Sequence, residues 1–96
     1  MRVQALFIQE FYKMAGRFQI DVDIPEGSTV LDLIEVLDRE FIRGFKKAVL
    51  EDNGEKVRWP VEIAVNGRRI DFLQGLHTKL NEGDKVLFSP RALFVV

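Results

Sequence analysis

A single histidine, His77, is the one imidazole this chain offers for acid–base or metal chemistry, and it stands beside Thr78. Such chemistry needs company: a nucleophile and an orienting carboxylate, or further metal ligands. No such partners are legible around His77, which reads as a surface or turn residue. Asp21, Asp23 and Glu26 are close in sequence. They do not follow the ligand spacing of a hard-cation loop, and they read as the wet face of a strand. Gly75 and Gly83 sit near turns, and neither opens a phosphate-binding glycine loop followed by a helix. There is no cysteine, which excludes a thiolate nucleophile, a disulfide framework and a cysteine zinc site. The expectation is therefore no catalytic residue, no metal and no cofactor.

The more telling groups are apolar. Phe72 and Leu73 fall together in an expected loop, where two large apolar side chains either pack under a sheet or form a contact patch. The segment Ala92-Leu93-Phe94-Val95-Val96 is either a strand folded back on its own domain or a strand or hook for a partner. With Arg91 at the base of that segment, the candidate partner-binding residues are Phe72, Leu73, Arg91, Leu93, Phe94, Val95 and Val96. The 96 residues carry a formal net charge of −1, from 14 basic and 15 acidic side chains. Lys46-Lys47 and Arg68-Arg69 are basic pairs of a kind common on solvated surfaces, so nucleic acid is not an expected partner. No apolar run is long enough to span a bilayer, and no secretory signal is visible, so membrane association is not expected and the cytoplasm is the expected location.

The elements that position these groups follow from periodicity. The length fits one domain, residues 1–96, and 47% apolar residues suffice for a modest core. Arg2 to Gln9 predict a strand with two apolar faces: Val3, Ala5 and Phe7 on one, Leu6 and Ile8 on the other. Glu10 to Ala15 predict a helical turn stopped by Gly16. Phe18, Ile20, Val22 and Ile24 alternate with Arg17, Gln19, Asp21 and Asp23, the period-two mark of a strand with one wet face. After Pro25-Glu26-Gly27, Thr29 and Asp32 resemble a capping box. Val30, Leu33, Ile34, Leu37 and Phe41 then recur at helical spacing, predicting a helix over 30–41 with Glu35 and Arg39 paired on its wet face. Residues 42–60 predict a small hairpin or partly ordered excursion, with Ala48-Val49-Leu50 and Val57-Arg58-Trp59 flanking the turn Asp52-Asn53-Gly54. Val61 to Val65 predict a strand, Asn66-Gly67 a tight turn into Arg68-Arg69-Ile70, and Lys85 to Phe88 the last strand. One helix must then cover one face of a mixed sheet whose first and last strands are adjacent. That is an α+β fold of the ubiquitin-like β-grasp type.

Three segments carry a family resemblance. Gly27-Ser28-Thr29-Val30-Leu31-Asp32-Leu33-Ile34 resembles a helix-start motif, Gly-x-Thr-Val-x-Asp-Leu-Leu. Ile63-Ala64-Val65-Asn66-Gly67-Arg68 resembles a strand-and-turn motif, and Gly75 to Val86 resembles a Leu-Asp-x-Gly-Asp-x-Val segment. In this order the chain is similar to the MoaD/ThiS family: the small sulfur-carrier subunit of molybdopterin synthase and its thiamine-pathway relative. The resemblance implies a C-terminal Gly-Gly carboxylate that is adenylated by an activating enzyme, converted to a thiocarboxylate, and delivered inside a partner enzyme. Aligning Phe88-Ser89-Pro90 with the family's Phe-Pro-Pro puts Leu93 and Phe94 where Gly-Gly is expected. Side chains and β-branching there suit a narrow channel poorly. The expectation is therefore a non-catalytic protein-binding module related to molybdenum or tungsten pterin cofactor biosynthesis. Its partner would resemble the large subunit of molybdopterin synthase or an activating enzyme. An atypical sulfur carrier and a self-associating structural domain (a homodimer) are the alternatives.

Overall fold

The structure is a computed structural model that describes residues 1–91. The expected Leu93, Phe94, Val95 and Val96 contacts lie outside the described residues. A five-stranded sheet has β1 (Arg2–Phe7), β2 (Gln19–Asp23), β3 (Glu62–Val65), β4 (Arg68–Arg69) and β5 (Lys85–Ser89) in the order β2-β1-β5-β3-β4. The first and last strands are adjacent and parallel, with Ala5 opposite Val86 and Phe7 opposite Phe88. All other pairings are antiparallel. This is the mixed sheet of an α+β, ubiquitin-like β-grasp.

One face of the sheet is sealed. Val3, Ala5, Phe7, Ile20, Val22, Ile63, Val65, Val86 and Phe88 are buried, in the alternation that sends every second side chain to the same side. The helix α2 (Val30–Glu40) lays Val30, Leu33, Ile34 and Leu37 on them. Its start is coded locally, as expected. The Thr29 hydroxyl accepts from the Asp32 amide at 3.2 Å, and the Asp32 carboxylate accepts from the Thr29 amide at 2.9 Å. Phe41 is not part of the stripe: it terminates the helix and is 42% exposed. The Ile42 amide instead bonds the Leu37 carbonyl, which turns the chain and buries Ile42. Glu35 and Arg39 do not pair with each other; Glu35 pairs with Lys46, and Arg39 with Glu40 at 3.0 Å.

Three further expectations change. Helix α2 is not alone on the sheet, because a second helix, α3 (Phe45–Val49), begins at Gly44, which adopts φ 85°. Ala48 and Val49 are thus helical, and the expected hairpin shrinks to a single bridge between Leu50 and Val57. Burial explains the choice. Phe45 and Val49, four residues apart, both face inward, and Phe45 meets Phe7, Phe11 and Phe88 edge-on with ring centroids 5.7, 5.6 and 5.0 Å away. The turn itself forms as expected, with the Gly54 amide on the Glu51 carbonyl at 2.8 Å; the four aromatic rings gathered around Phe45 draw the residues before the turn into a helix. The short helix α1 (Glu10–Ala15) forms as expected, ended by Gly16 at φ 76°, and contributes Phe11 to that cluster. Phe18 leaves the alternation of β2: it is 65% exposed and stacks on Tyr12 with centroids 4.1 Å apart.

The three resemblance motifs form one bonded framework. Asn66 sits at φ 52° in the β3–β4 turn. Its side chain donates to the Asp84 carboxylate at 2.9 Å and accepts from the Lys85 amide at 2.9 Å. Asp84 in turn accepts from the Asn81 amide at 2.8 Å. The Val30 amide bonds the Thr78 carbonyl, and the Leu80 amide bonds the Ser28 carbonyl. These residues satisfy one another's polar groups, so they build scaffold rather than a reactive site.

Candidate partner-binding surface

The other face of the sheet is open. Residues that alternate with the buried set lie on it, and the strand register places Gln19, Leu6, Leu87, Ala64 and Arg69 in one row across all five strands. Leu6, Leu87 and Ala64 are only half-buried. They form a shallow apolar strip in the middle of a face whose surroundings, Gln4, Asp21 and Lys85, are polar. Sequence alternation had given Leu6 a second apolar face but had no means of pairing it with Leu87, which is a product of the parallel β1–β5 register.

Phe72 lies at the end of this row. It belongs to a 3₁₀ turn, Ile70–Phe72, directly after β4, and is 74% exposed. The Arg69 guanidinium lies over its ring, 5.2 Å from the centroid. Leu73, its neighbour, turns the other way and packs half-buried against the core. The two residues expected to act together are therefore divided: Phe72 is surface and Leu73 is mainly packing.

Arg91 is held just past the end of β5, against the start of α1. Its Nε donates to Gln9 Oε1 at 3.1 Å, and its guanidinium reaches Glu10 Oε1 at 3.5 Å. The buried Ser89 hydroxyl bonds the Arg91 carbonyl. Glu62, opposite Ser89 in the register, is bonded to Arg69 Nε at 3.1 Å. A chain of polar contacts therefore runs from Phe72 through Arg69 and Glu62 to the place where β5 ends. Phe72 is tied to Arg69 and Arg91 to Gln9 and Glu10, two separate sets of contacts at the two ends of the sheet's later strands. Trp59, just ahead of β3, is 87% exposed. The sequence placed Trp59 in a hairpin flank, and its alternation with Val57, Val61 and Ile63 gave no sign of its exposure.

His77 is exposed, and no metal-binding group of three or more acidic, histidine or cysteine residues occurs among the described residues. No helix among the described residues is long and apolar enough to cross a membrane.

Residues 5–90 match the ThiS family. The chain belongs to the ThiS family. The matched span contains all three motifs together with Phe72 and Leu73, and stops one residue short of Arg91. Within this family setting, the chain is 29% identical over 90 residues to small archaeal modifier protein 3 of Haloferax volcanii, covering 94% of this chain and 95% of that protein. It is 27% identical to the putative molybdopterin converting factor, subunit 1, of Pyrococcus furiosus, with a TM-score of 0.73 over 96% of this chain and 99% of that one. The crystal structure of SAMP1 from Haloferax volcanii superposes with a TM-score of 0.81 over 99% of this chain and 100% of that one. At 19% identity it speaks for the β-grasp alone.

Proposed function

We propose that this ThiS-family chain is a non-catalytic docking protein that presents its open sheet face, and the chain end that leaves β5, to a partner enzyme. The observation that carries the proposal is the half-buried Leu6–Leu87–Ala64 strip, which runs into the Arg69–Phe72 pair at one side. An apolar centre with a polar rim and an arginine–aromatic pair has the make-up of a protein-binding surface. Likeness to a protein named as a molybdopterin converting factor subunit supports a place in molybdenum or tungsten pterin biosynthesis, in the cytoplasm. The partner would be the large subunit of a molybdopterin synthase or the activating enzyme. Leu93, Phe94, Val95 and Val96 belong to the same set of partner-binding residues in this proposal.

The test is capture of those two purified partners by the full-length chain and by three variants: Leu87→Glu, Phe72→Ala, and deletion of residues 93–96. Loss of capture on Leu87→Glu supports the open face. Equal capture by all four proteins overturns the surface altogether, and loss only on deletion moves the binding site to the tail.

Family membership favours a second reading, a carrier whose C-terminal carboxyl takes sulfur. Incubation with the activating enzyme, ATP and a sulfur donor, followed by intact-mass spectrometry, separates it from the first. A mass gain equal to one sulfur-for-oxygen exchange establishes it, and an unchanged mass removes it.

A further inference from the structure

A recess of about 370 Å³ lies at the end of the sheet where β5 begins, away from the end that leads to Arg91. The register explains what reaches it. Val65 and Arg68 stand opposite each other across the β3–β4 turn, and residues so paired point to one side of a sheet. Val65 is buried on the covered side, so Arg68 lies on that side too, whereas Arg69 goes with Ala64 to the open face. The chain then returns past the start of α2, where Lys79 is bridged to Thr29. Arg68, Thr78, Lys79, Asn81 and Asp84 thereby line one recess, with Val65 and Leu73 as its apolar wall.

The polar groups of the recess are unevenly used. Both Asp84 oxygens are taken: one accepts from the Asn66 side chain at 2.9 Å and the other from the Asn81 amide at 2.8 Å. The Thr78 hydroxyl accepts from the Gln74 amide at 3.0 Å, and its own proton has no acceptor among the described residues. The Arg68 guanidinium, the Lys79 ammonium and the Asn81 side-chain amide have no hydrogen-bond or ion-pair partner among the described residues. Arg69, next to Arg68 in the chain, is by contrast bonded to Glu62 and Asp71 at 3.1 and 3.0 Å. Two cations against one engaged carboxylate leave the lining with one net positive charge. A larger recess of about 670 Å³ holds Lys46 and Lys47, but there Asp38, Glu51 and Asp52 outnumber them.

We propose that the recess lined by Arg68 and Lys79 binds a single carboxylate carried on a short apolar stem. The planar fork of Arg68 suits the two oxygens of a carboxylate. Lys79 supplies the second charge, and the Asn81 side chain and the Thr78 hydroxyl supply neutral donors. Val65 and Leu73 receive the stem. The charge balance decides between oxyanions: one net positive charge is matched by a carboxylate, while a phosphate dianion would leave negative charge beside Asp84. The same chemistry is carried by a glutamate side chain of a partner protein and by a free monocarboxylic acid. The site is on the other side of the sheet from the leucine strip.

The probes are N-acetyl-glutamate amide, the matching N-acetyl-glutamine amide, butyrate and inorganic phosphate. Each is titrated into the full-length, isotope-labelled chain in a buffer free of carboxylate and phosphate, with amide resonances as the readout. The blocked glutamate or butyrate should shift the Arg68, Thr78, Lys79 and Asn81 amides, and the blocked glutamine should not. Preference for the blocked glutamate assigns the carboxylate to a partner's side chain; preference for butyrate assigns it to a free acid. Arg68→Gln and Lys79→Gln should each weaken binding about tenfold, the loss of one charge-assisted hydrogen bond. Their urea midpoints should stay at that of the parent chain, because neither side chain is bonded within the fold. Equal binding of the glutamine probe, tighter binding of phosphate, variants that bind as the parent does, or no shift by either acid would each overturn the proposal. The partner enzymes are not part of this titration, so its failure leaves the proposed function standing, and failure of the capture experiment leaves this site standing.

Discussion

The two faces of the sheet differ in how far they are covered. The helix-covered face gathers Phe7, Phe45 and Phe88 with no exposure at all, and three helices seal it. The open face carries Leu6, Leu87 and Ala64 half-buried in a polar surround. Buried apolar area on the first drives folding. The second gives up part of that gain by leaving leucine on the surface, a choice that makes sense when another molecule covers it. Stability should therefore concentrate on one face and binding on the other, and substitutions on each can break or sharpen that division.

The largest effect belongs to Phe45→Ala. It empties the centre of the aromatic cluster, and truncation of a buried phenylalanine costs about 3–5 kcal/mol. Urea denaturation followed by circular dichroism should show a shift of that order. A loss under about 1 kcal/mol would mean that α3 is not part of the cooperative core.

Next comes Thr29→Ala, which deletes the hydroxyl that accepts from the Asp32 amide. Loss of an N-cap of this kind costs about 1 kcal/mol, measurable as a lowered urea midpoint with an unchanged slope. The open face should respond in the opposite sense. Leu87→Gln, on a half-buried position, should cost less stability than either substitution while lowering capture of the partner. A stability loss equal to that of Phe45→Ala would erase the distinction between the faces.

The same division explains what could be read without a structure. Helix α2 is written in neighbouring residues: a cap at Thr29, its reciprocal Asp32, and apolar positions three and four apart. Strand β2 is written in its alternation. Those signals are local, and they survived folding with small changes at Phe18 and Phe41. The segment around Phe45 carries a turn signal nearby, yet its conformation is set by Phe7, Phe11 and Phe88, which lie far away in sequence. The candidate site was less legible still. Phe72 was visible as a large apolar residue in a loop. The Leu6–Leu87 pairing depends on a parallel register between residues 81 positions apart, and the Arg69–Glu62 bond depends on a turn between two strands. Neither leaves a trace in spacing.

The smallest expected effect lies at the margin of the open face, between Arg2 and Asp23. The Arg2 guanidinium bonds Asp23 at 3.0 and 3.3 Å. That hydrogen bond, helped by the opposite charge, lowers the Asp23 pKa below the ordinary carboxylate value and raises that of Arg2. A carboxyl with a lowered folded-state pKa adds stability above its unfolded value, and that contribution is lost as pH falls through the folded value. Both side chains are largely exposed, so solvent screens the pair and its contribution is the least of those considered. Asp23→Asn should therefore lower the urea midpoint slightly at neutral pH. In strong acid, where Asp23 is protonated in the native chain too, the two midpoints should coincide. A difference that persists in strong acid would show that Asp23 acts through packing or backbone geometry at the β2 edge and not through its charge.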